Sequence, residues 1–232
     1  MKNKTQFLNL IIRSNQNNKE ALNDLGHLYL SGTEVKKDYE KAMRYYQRAA
    51  NFNYPNAQFN LGIMYENGYG VPINLPIAID WYLKAAQQNY VKAQFNLACL
   101  YEKETETLQT AIYWYQQAAA HNFGLAQHNL GWRYLNGLGV SHDPELAFDY
   151  FTKAASQNIS EAQRHLAFCY REGVGVREDK VVAVEWFKKS AMLGDAIAFY
   201  HLGQMCLLGE GMQQDKELAE ELLLQAELLG GM

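Results

Sequence analysis

Only 4 prolines and 3 cysteines occur in 232 residues, and no apolar run approaches the roughly 18 residues that a membrane span needs. Three cysteines are an odd, sparse count for a disulfide-built fold and suit a reducing compartment, so a cytoplasmic protein is expected. The apolar stretch from Phe7 to Ile12 is broken by Asn9 and stops at Arg13, too short for a signal-peptide core and without a small-residue cleavage site after it. Excess positive charge is also missing. The 21 Lys+Arg stand against 25 Asp+Glu, a net charge of −4, which gives no bulk field for drawing in nucleic-acid phosphates. What is left is a chain 48% hydrophobic and 20% charged, long enough to bury a core.

What the sequence does contain is a repeat. Ala57-Gln-Phe-Asn-Leu-Gly62, Ala93-Gln-Phe-Asn-Leu-Ala98 and Ala126-Gln-His-Asn-Leu-Gly131 are near copies, Ala162-Gln-Arg-His-Leu-Ala167 continues the series, and looser copies start at Ala21 and Ala198. The starts are 36, 36, 33, 36 and 36 residues apart. A unit of 36 residues therefore occurs six times with a single three-residue deletion.

Each unit reads as two helices. The first is expected to begin at its opening Ala and carries apolar residues four and eight positions on, such as Leu61 and Tyr65, which keeps one face toward a core. It stops at a glycine (Gly68, Gly137, Gly173, Gly209), where a left-handed residue costs nothing without a Cβ. Four units continue as Gly-x-Gly followed by Val or Met, a fixed turn with an apolar plug. Then comes Asp38, Asn74, Asp143, Asp179 or Asp215, side chains that accept from the orphan amides of a helix start, with Pro76 and Pro144 just inside two of those helices. The second helix places Ala42, Ala78, Ala111, Ala147, Ala183 and Ala219 for close approach. An aromatic pair follows in five units, for example Trp81-Tyr82 and Tyr150-Phe151, with Leu222-Leu223 in the sixth. Asn53, Asn89, Asn122, Asn158, Gly194 and Gly230 then form a column of the two residue types that most readily turn left-handed, a helix C-cap read six times.

The resulting pattern, A-x-x-x-L-G-x-x-Y-x-x-G-x-G-V-x-x-D-x-x-x-A-x-x-W-Y-x-K-A-A, resembles the Sel-one-like repeat family, relatives of the tetratricopeptide repeats, over residues 21 to 230. The resemblance implies an all-α fold: a right-handed α/α superhelical solenoid whose concave surface, built from first helices, binds another protein. We expect one solenoid domain over residues 1–232, with an N-terminal capping helix in 1–20 and repeats at 21–56, 57–92, 93–125, 126–161, 162–197 and 198–232. In the third repeat Glu102-Lys-Glu-Thr-Glu-Thr107 replaces the Gly-x-Gly-Val turn, and Thr107 is expected to cap the next helix. Cysteine-rich relatives of the family, associated with penicillin binding, carry disulfides from the end of one unit to the start of the next. The matching positions here, such as Ala86/Gln94, Ala119/Gln127 and Ala155/Gln163, hold no cysteine, which places the chain outside that subfamily.

Catalytic motifs are missing: no His-Glu-x-x-His, P-loop, Gly-x-Ser-x-Gly or Ser-x-x-Lys occurs. His165 and Cys169, with His201 and Cys206 one unit on, offer four metal-ligand types, but the two cysteines stand on columns about 100° apart around a helix. No metal and no cofactor is expected. Asn158 heads a glycosylation sequon, yet it belongs to the C-cap column.

Candidate binding residues come from three columns of the first helices. One holds His27, Ile63, Cys99, Trp132, Phe168 and Gln204. A second, four residues earlier, holds Asn23, Phe59, Phe95, His128, Arg164 and Tyr200, and a third, three later, includes Glu66, Leu135 and Arg171. By analogy with tetratricopeptide repeats these face a concave groove. Phe59, Phe95, His128, Trp132, Arg164, Phe168, Arg171 and Tyr200 then make a partner-binding strip, aromatic in the middle, with arginines that would suit an acidic group on a peptide. The plainer alternative is that some of these rings pack between helices. The expected function is a non-enzymatic scaffold or adaptor for a protein or peptide, bacterial in style. The alternatives are a secreted host-directed effector on the same scaffold, and a hydrolase-like binder of cell-wall peptides or β-lactams. A monomer is expected, set against end-to-end pairing through the leucines of the last helix, Leu222 to Leu224, Leu228 and Leu229.

Overall fold

The computed structural model describes residues 2–103 and 105–230. These hold thirteen α-helices, a short 3₁₀ turn at Thr105–Thr107 and no strand. A lone helix, α1 (Lys2–Asn15), precedes six pairs: α2 (Lys19–Ser31) and α3 (Tyr39–Ala50), α4 (Pro55–Asn67) and α5 (Leu75–Ala86), α6 (Val91–Tyr101) and α7 (Leu108–Ala120), α8 (Gly124–Asn136) and α9 (Pro144–Ala155), α10 (Ser160–Glu172) and α11 (Lys180–Met192), α12 (Ala196–Leu208) and α13 (Lys216–Leu228). The chain divides into two compact units, residues 1–114 and 115–232, with the division inside α7. In unit 1, α1 packs on α2, α2 on α3, α3 on α4, α4 on α5 and α5 on α6. In unit 2, α8 packs on α9, α9 on α10, α10 on α11, α11 on α12 and α12 on α13.

The turn between paired helices follows from its glycines. Gly68, Gly137, Gly173 and Gly209 are left-handed, with φ of 72°, 66°, 68° and 71°, and each amide donates to the carbonyl four residues back to close the first helix. The second glycine does a different job. A Cβ on Gly175 would lie 2.1 Å from the Pro144 carbonyl oxygen and one on Gly211 would lie 2.2 Å from that of Lys180, so these turns rest directly on the start of the preceding second helix. The turn then returns through a backbone bond to the first helix, for example Asp143 N to Tyr134 O at 2.9 Å and Asp179 N to Tyr170 O at 2.8 Å. Asp38, Asn74, Asp143, Asp179 and Asp215 cap the second helices through their side chains, as expected. In the third repeat the link to the first helix runs through a side chain, the Thr107 hydroxyl donating to the Tyr101 carbonyl.

Two boundaries depart from the sequence expectation. First helices begin two residues before the opening Ala, at Pro55, Val91, Gly124, Ser160 and Ala196. The left-handed residue is followed by one extended residue, such as Tyr54 or Ile159, and the helix starts at once after it. The C-cap column also sits later than a cap. Each second helix tightens into a last turn of i to i+3 bonds, such as Asn53 N to Ala50 O at 2.8 Å, and only then reaches the left-handed residue. Asn53, Asn89, Asn122 and Asn158 have φ of 54°, 61°, 59° and 59°. Asn17 shares this conformation at 58°, so α1 ends as a second helix does.

Buried glutamines cross these junctions. Gln94, Gln127 and Gln163 donate to the carbonyls of Ala86, Ala119 and Ala155 at 3.2, 3.4 and 3.2 Å. Gln88 and Gln157 in turn donate to the amide oxygens of Gln58 and Gln127 at 2.7 and 2.8 Å. Leu193 occupies the same column 30 residues after Gln163, and there the buried Gln163 Oε1 has no partner.

Within each unit the core lies against the second helices. Tyr46, Tyr82, Tyr115, Phe151 and Phe187 are fully buried, and Gly26, Gly62 and Gly131 lie flat against the first, second and fourth of these rings, where a Cβ would come within 2.8 Å.

Gly175→Ala is expected to destabilise the protein by about 2–3 kcal/mol, because a positive φ and a backbone clash combine. Leu193→Gln is expected to stabilise it by about 1 kcal/mol through a bond to Gln163 Oε1. Thermal denaturation of both variants beside the parent chain checks the signs.

Candidate functional site

Within unit 2, helices α8, α10 and α12 present two aromatic patches. In the first, Trp132 is 45% exposed and its ring centroid lies 5.4 Å from that of His165. His165 stacks on buried Phe151 at 5.1 Å and 14°, and His128 Nε2 lies 3.0 Å from His165 Nδ1. Since His165 Nδ1 is also 2.7 Å from the Glu161 carbonyl, a proton on that nitrogen serves both neighbours. In the second patch, Phe168 stands edge-on to Phe187 at 5.2 Å and to His201 at 4.6 Å, the Arg171 guanidinium covers the Phe168 ring at 4.9 Å, and Tyr200 meets His201 edge-on at 5.3 Å. Phe168, Arg171 and Tyr200 are half-buried.

The arginines are occupied. Arg164 Nε donates to Asp195 Oδ2 at 2.8 Å, with side-chain exposures of only 16% and 8%. Asp195 also caps α12 through Ile197 N and Ala198 N and accepts from the Ser190 hydroxyl, so Arg164 braces the junction between α11 and α12. Arg171 pairs with Glu172 at 2.6 Å and bonds His201 Nδ1 at 3.2 Å. An acidic ligand group would meet guanidiniums that already have partners, which bears on the acidic-peptide expectation.

In unit 1, Phe59 is half-buried, tilted against Tyr82 at 5.5 Å and Tyr90 at 5.1 Å, and Phe95 is half-buried on α6. These two rings occupy the expected columns without the exposure of Trp132.

The sequence reading considered His165 and His201 only as metal ligands and missed their partners. At two of the buried tyrosines the hydroxyl meets polar side chains of first helices: the Tyr82 hydroxyl donates to Glu66 Oε2 at 2.5 Å, with Asn96 of the next first helix also beside it, and Asn129 Nδ2 lies 3.1 Å from the Tyr115 hydroxyl. Where the ring is phenylalanine, histidine takes the asparagine's place and stacks, His165 on Phe151 and His201 on Phe187. The paired columns Tyr/Asn and Phe/His were visible in the sequence as a signal. Burial holds His165 and His201 down to about 4. Charge on His128 and Arg164 adds to this at His165, as do Arg171 and Arg164 at His201, and His128 is lowered chiefly by burial. Among the described residues no three metal-binding side chains converge. Burial pushes the Cys169 thiol up to about 11, out of the nucleophile range at neutral pH, and Cys206 Sγ lies 3.1 Å from the Asp215 carbonyl. No helix among the described residues is long and apolar enough to cross a membrane.

A family model for the Sel1 repeat matches residues 19–51, 55–90, 91–123, 124–159, 160–195 and 196–231. Among solved structures, the chain is similar to a protective antigen of uropathogenic Escherichia coli displaying an SLR fold, with 31% identity and a TM-score of 0.91 over 97% of this chain and 49% of that one. It therefore spans about half the length of that antigen. It is also similar to a Sel1 repeat protein from Oxalobacter formigenes, with 35% identity and a TM-score of 0.83 over 91% and 88% of the two chains. An immunity protein from Pseudomonas aeruginosa, 18% identical with a TM-score of 0.55 over 89% and 82%, shares the fold. No curated protein matches the sequence.

The histidines set an acid limit. Their folded pKa values lie below the unfolded value near 6.5, so the unfolded chain takes up protons first as pH falls. The neutral histidines contribute fully above pH 6.5, and that contribution is lost between pH 6.5 and 4. Melting temperature is expected to drop across that window, and His165→Phe is expected to flatten the drop.

Proposed function

Because the chain belongs to the Sel1 repeat family, whose members generally serve as protein-interaction scaffolds, we propose that it is a non-catalytic adaptor of the cytoplasm that holds a polypeptide partner along the face carrying Trp132. The observation that carries this reading is the Trp132 patch. A tryptophan exposed at 45%, seated on a histidine that is itself stacked on the core, is a large flat ring held in place before any partner arrives. Burying such a ring against a partner gains area at little cost in side-chain freedom, the property that concentrates binding energy in a few interface residues. The neighbouring patch of Phe168, Arg171 and Tyr200 on α10 and α12 extends the surface within unit 2. Phe59 and Phe95 are the proposed binding residues of unit 1, and one solenoid domain over residues 1–232 is proposed with them.

Recognition through aromatic surface and backbone hydrogen bonds suits a peptide with apolar side chains better than an acidic one, because Arg164 and Arg171 are already paired. The absence of catalysis is proposed on the same ground: side chains whose roles are visible here serve packing, capping and repeat junctions.

An affinity pulldown with the intact chain tests the proposal. Trp132→Ala is expected to lower partner capture by about tenfold or more while costing under about 1 kcal/mol in folding stability. Arg164→Ala, which leaves Asp195 largely buried and unpaired, is expected to act the other way, lowering the melting temperature strongly. Equal losses of folding and capture in Trp132→Ala would overturn the assignment.

A further inference from the structure

We propose that the outer surface of α11 and α13 is the contact of a two-fold dimer with a second copy of this chain, apart from the face that carries Trp132. Val181, Glu185, Lys188 and Met192 fall at helical spacing on one stripe of α11, and all four are exposed, Met192 at 85%. The stripe at the same register of α13 is Glu217, Glu221, Leu224 and Leu228, again exposed throughout, Leu228 at 71%. In α9 that register reads Glu145, Asp149, Thr152 and Ser156, a fully polar stripe that water solvates. Within unit 2 the outer surface therefore turns partly apolar over α11 and α13.

A second, independent observation marks the same edge. Just beyond α9, Gln157 donates to the buried Gln127 Oε1 at 2.8 Å. Just beyond α11, Leu193 stands in place of that glutamine, exposed beside Met192, and the Oε1 of buried Gln163 has no partner. Both results weaken the fold, because a buried acceptor is unpaired and an apolar side chain is left in water. Gly194 follows, with open space where a Cβ would stand, so nothing obstructs an approach to this corner. Packing within unit 2 does not offset the exposure of Met192 and Leu193, whereas a covering surface would.

Charge selects the occupant. Lys188 and Lys189 are exposed near the end of α11, while α13 carries Glu217, Glu220, Glu221 and Glu227 against Lys216. An anionic lipid surface would attract the first helix and repel the second. A second copy satisfies both, since a two-fold rotation sets the basic helix of each copy against the acidic helix of the other. The register fixes the direction. Crossed antiparallel, Lys188 meets Glu221 and Val181 meets Leu228, whereas a parallel crossing would set Glu185 against Glu221.

Sedimentation velocity of the intact chain over a wide range of loading concentration tests the proposal. A reversible monomer–dimer equilibrium is expected, weaker at high salt. Met192→Ser combined with Leu193→Gln installs the residues of the preceding repeat. This variant is expected to weaken dimerisation about tenfold or more while raising the melting temperature of the monomer, because it supplies the donor that Gln163 lacks. Damage to the fold would instead lower both. Lys188→Glu with Lys189→Glu in one chain, and Glu217→Lys with Glu221→Lys in another, are each expected to stay monomeric alone and to form a heterodimer when mixed. A parent chain that is monomeric at every concentration, a dimer unaltered in the Met192/Leu193 variant, charge variants that fail to pair on mixing, or oligomers that grow past the dimer would overturn the proposal. A monomer that cosediments with phosphatidylserine vesicles would assign the surface to lipid instead. Trp132→Ala is expected to leave the dimer unaltered, so the dimer contact and the partner-binding face are tested separately.

Discussion

Every repeat depends on one backbone event, the left-handed residue that follows each second helix. Asn53, Asn89, Asn122 and Asn158 enter a region that costs most side chains of the order of 1 kcal/mol, and they do so where the chain must reverse into the next helix. Once that conformation is fixed, the next first helix starts two residues later and its buried glutamine falls beside the carbonyl it bonds, as Gln163 does to Ala155 at 3.2 Å. Junction, glutamine and core aromatic are therefore not independent contributions. A substitution that frees the left-handed residue misplaces the other two.

The same coupling explains why the core changes composition without changing shape. A buried phenol demands a partner and a phenyl ring does not, so Tyr82 and Tyr115 go with asparagine while Phe151 and Phe187 go with histidine. The exchange is nearly neutral in volume but not in chemistry. In unit 2 it leaves two imidazoles that are stable only while uncharged, directly beneath the surface that carries Trp132 and Tyr200. Among the described residues the buried Tyr46 hydroxyl has no partner: Leu30 stands where Glu66 accepts from Tyr82, and Asn60 is turned to Asn23.

Much of this was legible in the sequence, because local choices repeat. Six copies of a small set of caps and turns, each with its own stereochemical reason, gave the helix pairs, the lone α1 and the capping aspartates. What escaped was contact between columns. Ala57 was read as a helix start because it opens the conserved-looking block, whereas the helix begins at Pro55, set by the backbone that precedes it. Arg164 read as a partner-binding residue because nothing local reveals Asp195, 31 residues on, as its partner at 2.8 Å. The second glycine of each turn read as part of the turn, although at Gly175 and Gly211 its constraint comes from the preceding helix.

That distinction between local and inter-column information also separates the scaffold from the proposed binding surface. Positions constrained by a neighbouring repeat are bound to keep their chemistry: the glutamines bridge, Arg164 braces Asp195, and Phe59 fills space between Tyr82 and Tyr90. Trp132 is constrained on one side only. His165 holds its ring, yet 45% of the residue stays in water, and no junction or cap requires a tryptophan there. A large apolar ring left exposed carries a solvation cost that packing at that position does not offset. Contact with a partner is the circumstance that would offset it, and for that reason exposure of Trp132, more than the number of aromatic residues in the strip, bears on the proposed binding surface.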